Sequence, residues 1–254
     1  MSRAPDELRD LVERYIAALE FTPELGTLAG PMRHSLGGKR VRPVLALAAA
    51  DAVGADVEAI LPAAAAVELV HSFSLVHDDL PALDDDGERR GRPSVWAAYG
   101  EATAILAGDA LLAEAFRLAL SYPNPEVARE LAGATLGMIG GQQLDLEKGP
   151  DLAKLHALKT GALFSASVMC GLWAASLPAA QHGPWRAFAG ELGLLFQVVD
   201  DILDGDGYVL EVGAQEARVL ADQAGERAQE RLAAIPADTS VLSEIVAGLV
   251  ARTS

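Results

Sequence analysis

The sequence predicts one all-α domain spanning residues 1–254, a bundle of about ten helices. Three observations lead there. Apolar residues recur at three- and four-residue steps through most of the chain, and no run alternates like a strand for more than a few residues. Apolar residues make up 51% of the chain and aromatics only 5%, so the interior is filled largely by Ala and Leu, which head the helix-propensity order. No Gly/Ser linker, fixed-period repeat or low-complexity tract divides the chain.

The elements follow in order. Leu8, Leu11, Val12, Tyr15, Ile16 and Leu19 make the apolar stripe of a first helix that starts after Pro5 and Asp6. Val41–Val53 is helical, opened by Pro43 and closed by Gly54. Asp56–Asp79 is a longer helix that either tolerates Pro62 or breaks there. Leu80–Pro93 carries Pro81, Gly87, Gly91 and Pro93 and reads as a loop. Further helices are expected at Ser94–Ser121, Glu126–Glu147, Asp151–Ser176, Pro184–Leu203, Gln215–Ala234 and Ser240–Arg252. Several are apolar nearly all round, which makes them central.

The 36 acidic and 20 basic residues give a formal charge of −16, which repels a phosphate backbone and excludes general nucleic-acid binding. Against that background two basic islands stand out: Lys39, Arg40 and Arg42, then Arg89, Arg90 and Arg92. The lone Cys170, inside an apolar run, excludes an internal disulfide and an all-cysteine zinc site. The N-terminus, MSRAPDELRDLVERY, lacks the apolar segment of a signal peptide. The uncharged stretch from Thr160 to Trp185 reaches the roughly 18 residues that span a bilayer. It is broken by Pro178, Gln181 and His182, so a buried core helix and a turn are expected instead of a transmembrane segment, in a soluble cytoplasmic protein.

Two acidic clusters interrupt otherwise apolar helices. Asp78, Asp79, Asp84, Asp85 and Asp86 follow the apolar run Val67–Val76, and Asp200, Asp201 and Asp204 follow Leu192–Val199. Asp200 and Asp204, four apart, share a helix face. Carboxylates at the end of a core helix are costly without cations. Oxygen ligands of this kind suit Mg²⁺, which takes one or two carboxylates and completes its shell with water and substrate phosphate. The basic islands supply the rest of a diphosphate site. Gly37-Gly38-Lys39-Arg40 opens a helix, whose free N–H groups favour an anion. Arg89 and Arg90 follow the first acidic cluster, and Lys159 stands at the edge of a helix without other charge as far as Leu177.

The motifs GGKRVRP, LVHSFSLVHDDLPALDDDGERRGRPS, GDALL, GGQQLDLE, KTGALF and FQVVDDILD, in this order between residues 37 and 206, resemble the trans-isoprenyl diphosphate synthases, which include farnesyl and geranylgeranyl diphosphate synthases. The resemblance implies the isoprenoid synthase fold, with helices around a central cavity, and an Mg²⁺-dependent prenyltransferase using two to three ions. It gives Asp78, Asp84, Asp200 and Asp204 to the metal, with Asp79 and Asp201 in support. Arg89, Lys159 and Gln197 would hold an allylic diphosphate. Lys39, Arg42, His71 and Arg90 would hold isopentenyl diphosphate, and Thr160 would face the reacting carbons. Gln142, Gln143 and Asp145 are expected behind them as support. The released diphosphate would accept the proton.

An aromatic at Phe73, five residues before Asp78, with Ser74 beside it, goes in the family with farnesyl diphosphate as product. Related enzymes are generally homodimers, here through the apolar helix Ala102–Leu120. The resemblance falters after Asp204. The family continues with a segment of the form GKxxGxD, whereas this chain runs from Gly205 to Gly213 without it and has no lysine from Glu211 onward. An inactive partner subunit of a heteromeric synthase, or a class I terpene cyclase, therefore remain alternatives to a short-chain synthase.

Overall fold

The structure, a computed structural model, describes residues 3–147 and 151–253. Helix α1 (Pro5–Ala18) leads through a 3₁₀ turn (Pro23–Leu28) into α2 (Ala29–Ser35), α3 (Val41–Ala52) and α4 (Val57–Asp78). A hairpin of two-residue strands, Glu88–Arg89 and Arg92–Pro93, precedes α5 (Val95–Tyr99), α6 (Glu101–Ala119) and α7 (Glu126–Leu146). Helix α8 (Leu152–His156) passes through a π turn (Ala157–Gly161) into α9 (Ala162–Ala174). The chain ends with α10 (His182–Asp204), α11 (Gly207–Val212), α12 (Ala214–Ala233) and α13 (Ser240–Val250), then a 3₁₀ turn (Ala251–Thr253).

The centre is α4 and α9. Helix α4 starts at Asp56, whose side chain accepts the Glu58 N–H, and it carries Pro62 without breaking. It packs on α3, α6 and α9, while α10 packs on α9 and α12. Alanines at 46, 48–50 and 63–66 are buried, so α3 and α4 approach closely, and the core forms one cluster that takes in every long helix. Helix α4 and the segment Leu152–Ala174 are each long and apolar enough to cross a membrane, with 72% and 50% of their most apolar windows buried inside the fold.

Four sequence expectations change. The helix expected over Ser94–Ser121 splits into α5 and α6 at Gly100, whose φ of 88° no helix accommodates. The short helices α2 and α11 fall where no helix was expected. The loop after α4 holds a hairpin turned by Arg90 and Gly91, both at positive φ, as a two-residue primed turn requires. Arg40, grouped with the first basic island, is buried. It sits in the left-handed region (φ 55°) and pairs with Glu68 (2.6 Å) and Glu13 (2.9 Å), tying the turn before α3 to α4 and α1.

Candidate active site

Helix α4 ends at Asp78, and the chain folds back over that end. The Asp84 N–H donates to the Asp78 carbonyl (2.9 Å) and the Asp86 N–H to the Asp79 carbonyl (3.1 Å). Asp84 therefore returns beside Asp78. Burial first, and then the Asp84 and Asp79 charges, push the Asp78 carboxyl up to about 6 against the pull of Lys159 and Arg89. Asp79 behaves differently. Its carboxylate is buried and accepts two N–H groups of Arg89, one of them at 2.9 Å, and Arg89 also reaches Asp86 (3.0 Å).

Helix α10 carries the second cluster on its last turns. Asp200 is held above the ordinary carboxylate range by burial and by Asp204, while Arg252 and Arg42 oppose the rise. Asp204, one turn further along the same face, is exposed. The carboxylates of Asp78, Asp84, Asp200 and Asp204 make no hydrogen bond or ion pair among the described residues. Asp201 points inward. It accepts from Gln197 Nε2 (2.6 Å) and from the Tyr208 N–H (2.8 Å), so both Asp201 and Gln197 are engaged in holding α11 to α10.

A cleft of about 470 Å³ is lined by Lys39, Arg42, His71, Arg90, Phe196 and Asp200. Arg42 lies over the Phe164 ring (4.5 Å) and its Nη1 meets His71 Nε2 at 3.4 Å; its Nε is buried without a partner among the described residues. Burial lowers the guanidinium to about 10. His71 is held well below the usual imidazole range by burial and by the surrounding arginines, so it is neutral at pH 7. Arg252, from the last turn of the chain, lines the same cleft. Sequence reading passed over Arg252, because an isolated arginine near a chain end carries no pattern.

A second cavity, of about 250 Å³, is lined by Phe73, Ser74 and Asp78 of α4, by Met138, Ile139 and Leu146 of α7, and by Lys159. Gln142 and Gln143 line it, as does Leu83. Lys159 lies in the π turn beside Thr160, and its Nζ donates to Asp145 (2.5 Å). Gly141 makes that placement possible, since a Cβ there would stand 2.4 Å from the Lys159 backbone nitrogen. The π turn, a register that recurs at functional sites, thus seats Lys159 and Thr160 against α7.

Residues 26–215 match the polyprenyl synthetase family. The chain is 40% identical over 205 residues to farnesyl diphosphate synthase of Bacillus subtilis, covering 74% of this chain and 69% of that one. It is 41% identical over 191 residues to geranylgeranyl diphosphate synthase of Cyanophora paradoxa, covering 68% and 64%. The crystal structure of an FPP/GFPP synthase from Zymomonas mobilis superposes with a TM-score of 0.85 at 31% identity, covering 97% of both chains. The chain belongs to the polyprenyl synthetase family. This polyprenyl synthetase is accordingly a trans-prenyltransferase with the isoprenoid synthase fold.

Proposed function

We propose that this polyprenyl synthetase condenses isopentenyl diphosphate with an allylic diphosphate and yields mainly farnesyl diphosphate. The observation that carries this reading is four unpaired carboxylates, at the ends of α4 and α10, beside a cleft lined by Lys39, Arg42, His71 and Arg90. The donor set fits Mg²⁺. It consists of hard carboxylate oxygens, and no three or more His, Cys, Asp or Glu converge as a ready metal cage among the described residues. Mg²⁺ needs no such cage, because substrate phosphate and water complete its shell. Asp78 and Asp84 would hold ions at one cluster, Asp200 and Asp204 at the other. When bound, the ions neutralise charge building on a departing diphosphate.

The chain's own residues do the rest. Lys159 and Arg89 bind the allylic diphosphate by exchanging their internal partners, Asp145 and Asp79, for phosphate oxygens. Arg42 and Arg90, with Lys39 and neutral His71, bind the isopentenyl diphosphate. Gln197 and Asp201 hold the end of α10 in position. As the allylic C–O bond breaks, the cationic carbons lie in the cavity walled by Phe73, Leu83, Met138, Ile139 and Leu146; the role of Thr160, next to Lys159 in the π turn, rests on the family resemblance alone. The isopentenyl double bond attacks, and the proton leaves to the released diphosphate. Phe73, 8% exposed and edge-on to His77 (5.0 Å), closes the cavity below the allylic carbons and limits the chain to fifteen carbons.

Incubation with isopentenyl diphosphate and each allylic primer, with and without Mg²⁺, tests the reading. Farnesyl diphosphate formed only with the metal is expected. Cyclic hydrocarbons would favour a cyclase, and no incorporation of isopentenyl units would favour an inactive partner subunit. The exposed side chains Ile105 and Leu106 on α6, with Leu136 and Ile139 on α7, support a homodimer through this face. Light scattering at micromolar concentration should give twice the chain mass; a monomer would refute it.

A further inference from the structure

Beside the substrate cleft, and sharing Gly38 and Arg90 with it, lies a separate cavity of about 230 Å³ whose other walls include His34, Arg92 and Ser94. Arg89, Arg90 and Arg92 reach its wall against a single carboxylate, Asp79. Arg89 is taken up by Asp79 and Asp86, whereas neither Arg90 nor Arg92 forms an ion pair among the described residues: Arg90 Nη1 donates to the Gly37 carbonyl and Glu68 and Asp79 only act on it at a distance, in a chain of formal charge −16. His34, also on the wall, adds no charge. Arg92 Nη2 donates to its Nδ1 (3.0 Å), so the ring proton is on Nε2, which donates to the Pro93 carbonyl (2.8 Å).

Ser94 closes the cavity. It is 2% exposed, and its Oγ has no hydrogen-bond partner among the described residues, an unfavourable state for a buried hydroxyl unless something fills it. Gly38 contributes by what it lacks, since a Cβ there would stand 2.8 Å from the Arg90 guanidinium. The glycine lets Arg90 lie in the partition between this cavity and the substrate cleft, and its side chain lines both.

We infer that this cavity is a second anion site, which takes inorganic diphosphate or phosphate on the Ser94 hydroxyl, Arg92 and Arg90. Two guanidinium groups and a hydroxyl match the donors that phosphoryl oxygens accept. If the source is diphosphate released by the reaction, the site retains product, and it then draws Arg90 away from isopentenyl diphosphate. That consequence rests on the proposed function, whereas the site itself does not.

Equilibrium dialysis in excess chelator, where the acidic clusters bind no metal-bridged anion, tests the site with inorganic diphosphate and, separately, inorganic phosphate. Wild type should bind two diphosphates per chain, and Ser94→Ala and Arg92→Leu one each. Arg42→Ala should lose the other and keep the Ser94-dependent one. Ser94→Ala should not lower the melting temperature in anion-free buffer, because its hydroxyl has no protein partner to lose. Binding of phosphate alone at the Ser94-dependent site would support the site and assign it to free phosphate. Wild-type binding in both Ser94→Ala and Arg92→Leu would overturn the inference, and so would loss of both anions in Arg42→Ala. A failed prenyl-transfer assay would leave this count unchanged, so the two readings fail separately.

Discussion

Replacing Asp78 by Asn should stabilise the metal-free protein while abolishing its activity. In the fold the Asp78 carboxyl is raised from its ordinary 3.8 to about 6, chiefly by burial, with Asp84 adding to the rise. A raised carboxyl means that the fold disfavours the ionised form. The penalty is complete above about pH 6 and absent below the unfolded value near 3.8. The gap corresponds to roughly 3 kcal/mol at neutral pH. Asparagine keeps the shape and removes the charge, so in chelator at pH 7.5 the melting temperature should rise by up to about 6–12 °C for a chain of this size. The gain should shrink as pH falls from 6 and vanish near pH 4, where wild type is itself neutral at this position. Adding Mg²⁺ with inorganic diphosphate should reverse the order, because the metal-bridged part of the binding, which needs the Asp78 carboxylate, stabilises wild type alone. Differential scanning calorimetry across pH, with and without chelator, makes the measurement. A variant less stable than wild type in chelator at pH 7.5 would refute the reasoning, since it would mean that Asp78 has a stabilising partner in the fold.

Three further outcomes follow from particular contacts. Gly141→Ala drives a Cβ into the Lys159 backbone, so it should cost about 1–3 kcal/mol and lower kcat at least tenfold, read by melting and by turnover; wild-type values in both would show that α7 and the π turn separate freely. Phe73→Ala should shift product toward longer prenyl diphosphates, and an unchanged distribution by mass spectrometry would mean that another residue sets the floor. Arg252→Ala removes a guanidinium that lines the cleft with Arg42 and Asp200 but has no ion-pair partner among the described residues. It should raise the KM for isopentenyl diphosphate by about tenfold or more, with the melting temperature unchanged; an unaltered KM would place Arg252 outside the substrate site.

The helices were legible because their signals are local. The stripe from Leu8 to Leu19 and the apolar run before Asp78 each announce an element without reference to the rest of the chain. The split at Gly100 was not, because a glycine inside a helical pattern does not reveal the sign of its φ. Charged residues showed the same division. The two acidic clusters were legible as interruptions of apolar helices, since several carboxylates at the end of such a helix need cations; the choice of Asp78, Asp84, Asp200 and Asp204 among them came from the family resemblance. Arg40 lines the cleft with Lys39 and Arg42, but its charge is engaged inside the fold, for a reason that spacing cannot expose. It differs from Lys39 and Arg42 only in facing Glu13 and Glu68, which lie 27 and 28 residues away in the chain. Gln197 was named only through the family resemblance, as a diphosphate ligand; in the structure its amide goes to Asp201, one turn along its own helix, which also takes the start of α11.

The short connection after Asp204 is a built turn, and Asp201 is its centre. Gly205, at φ 74°, and Asp206 both return their N–H groups to the Asp201 carbonyl (2.8 and 3.2 Å). The Asp201 carboxylate then accepts the Tyr208 N–H, satisfying a free donor of the first turn of α11. Gly207 is tied to that arrangement twice, by its φ of 45° and because a Cβ would fall 2.1 Å from the carboxylate oxygen. A sequence that merely lacked a loop would have no reason to keep a glycine there. In this chain the segment after Asp204 is a tight link, with Asp201 holding the turn. Asp200 and Asp204 keep carboxylates without a hydrogen-bond or ion-pair partner among the described residues, as the proposed metal role requires, and Arg252 lines the cleft with Asp200, adding positive charge there.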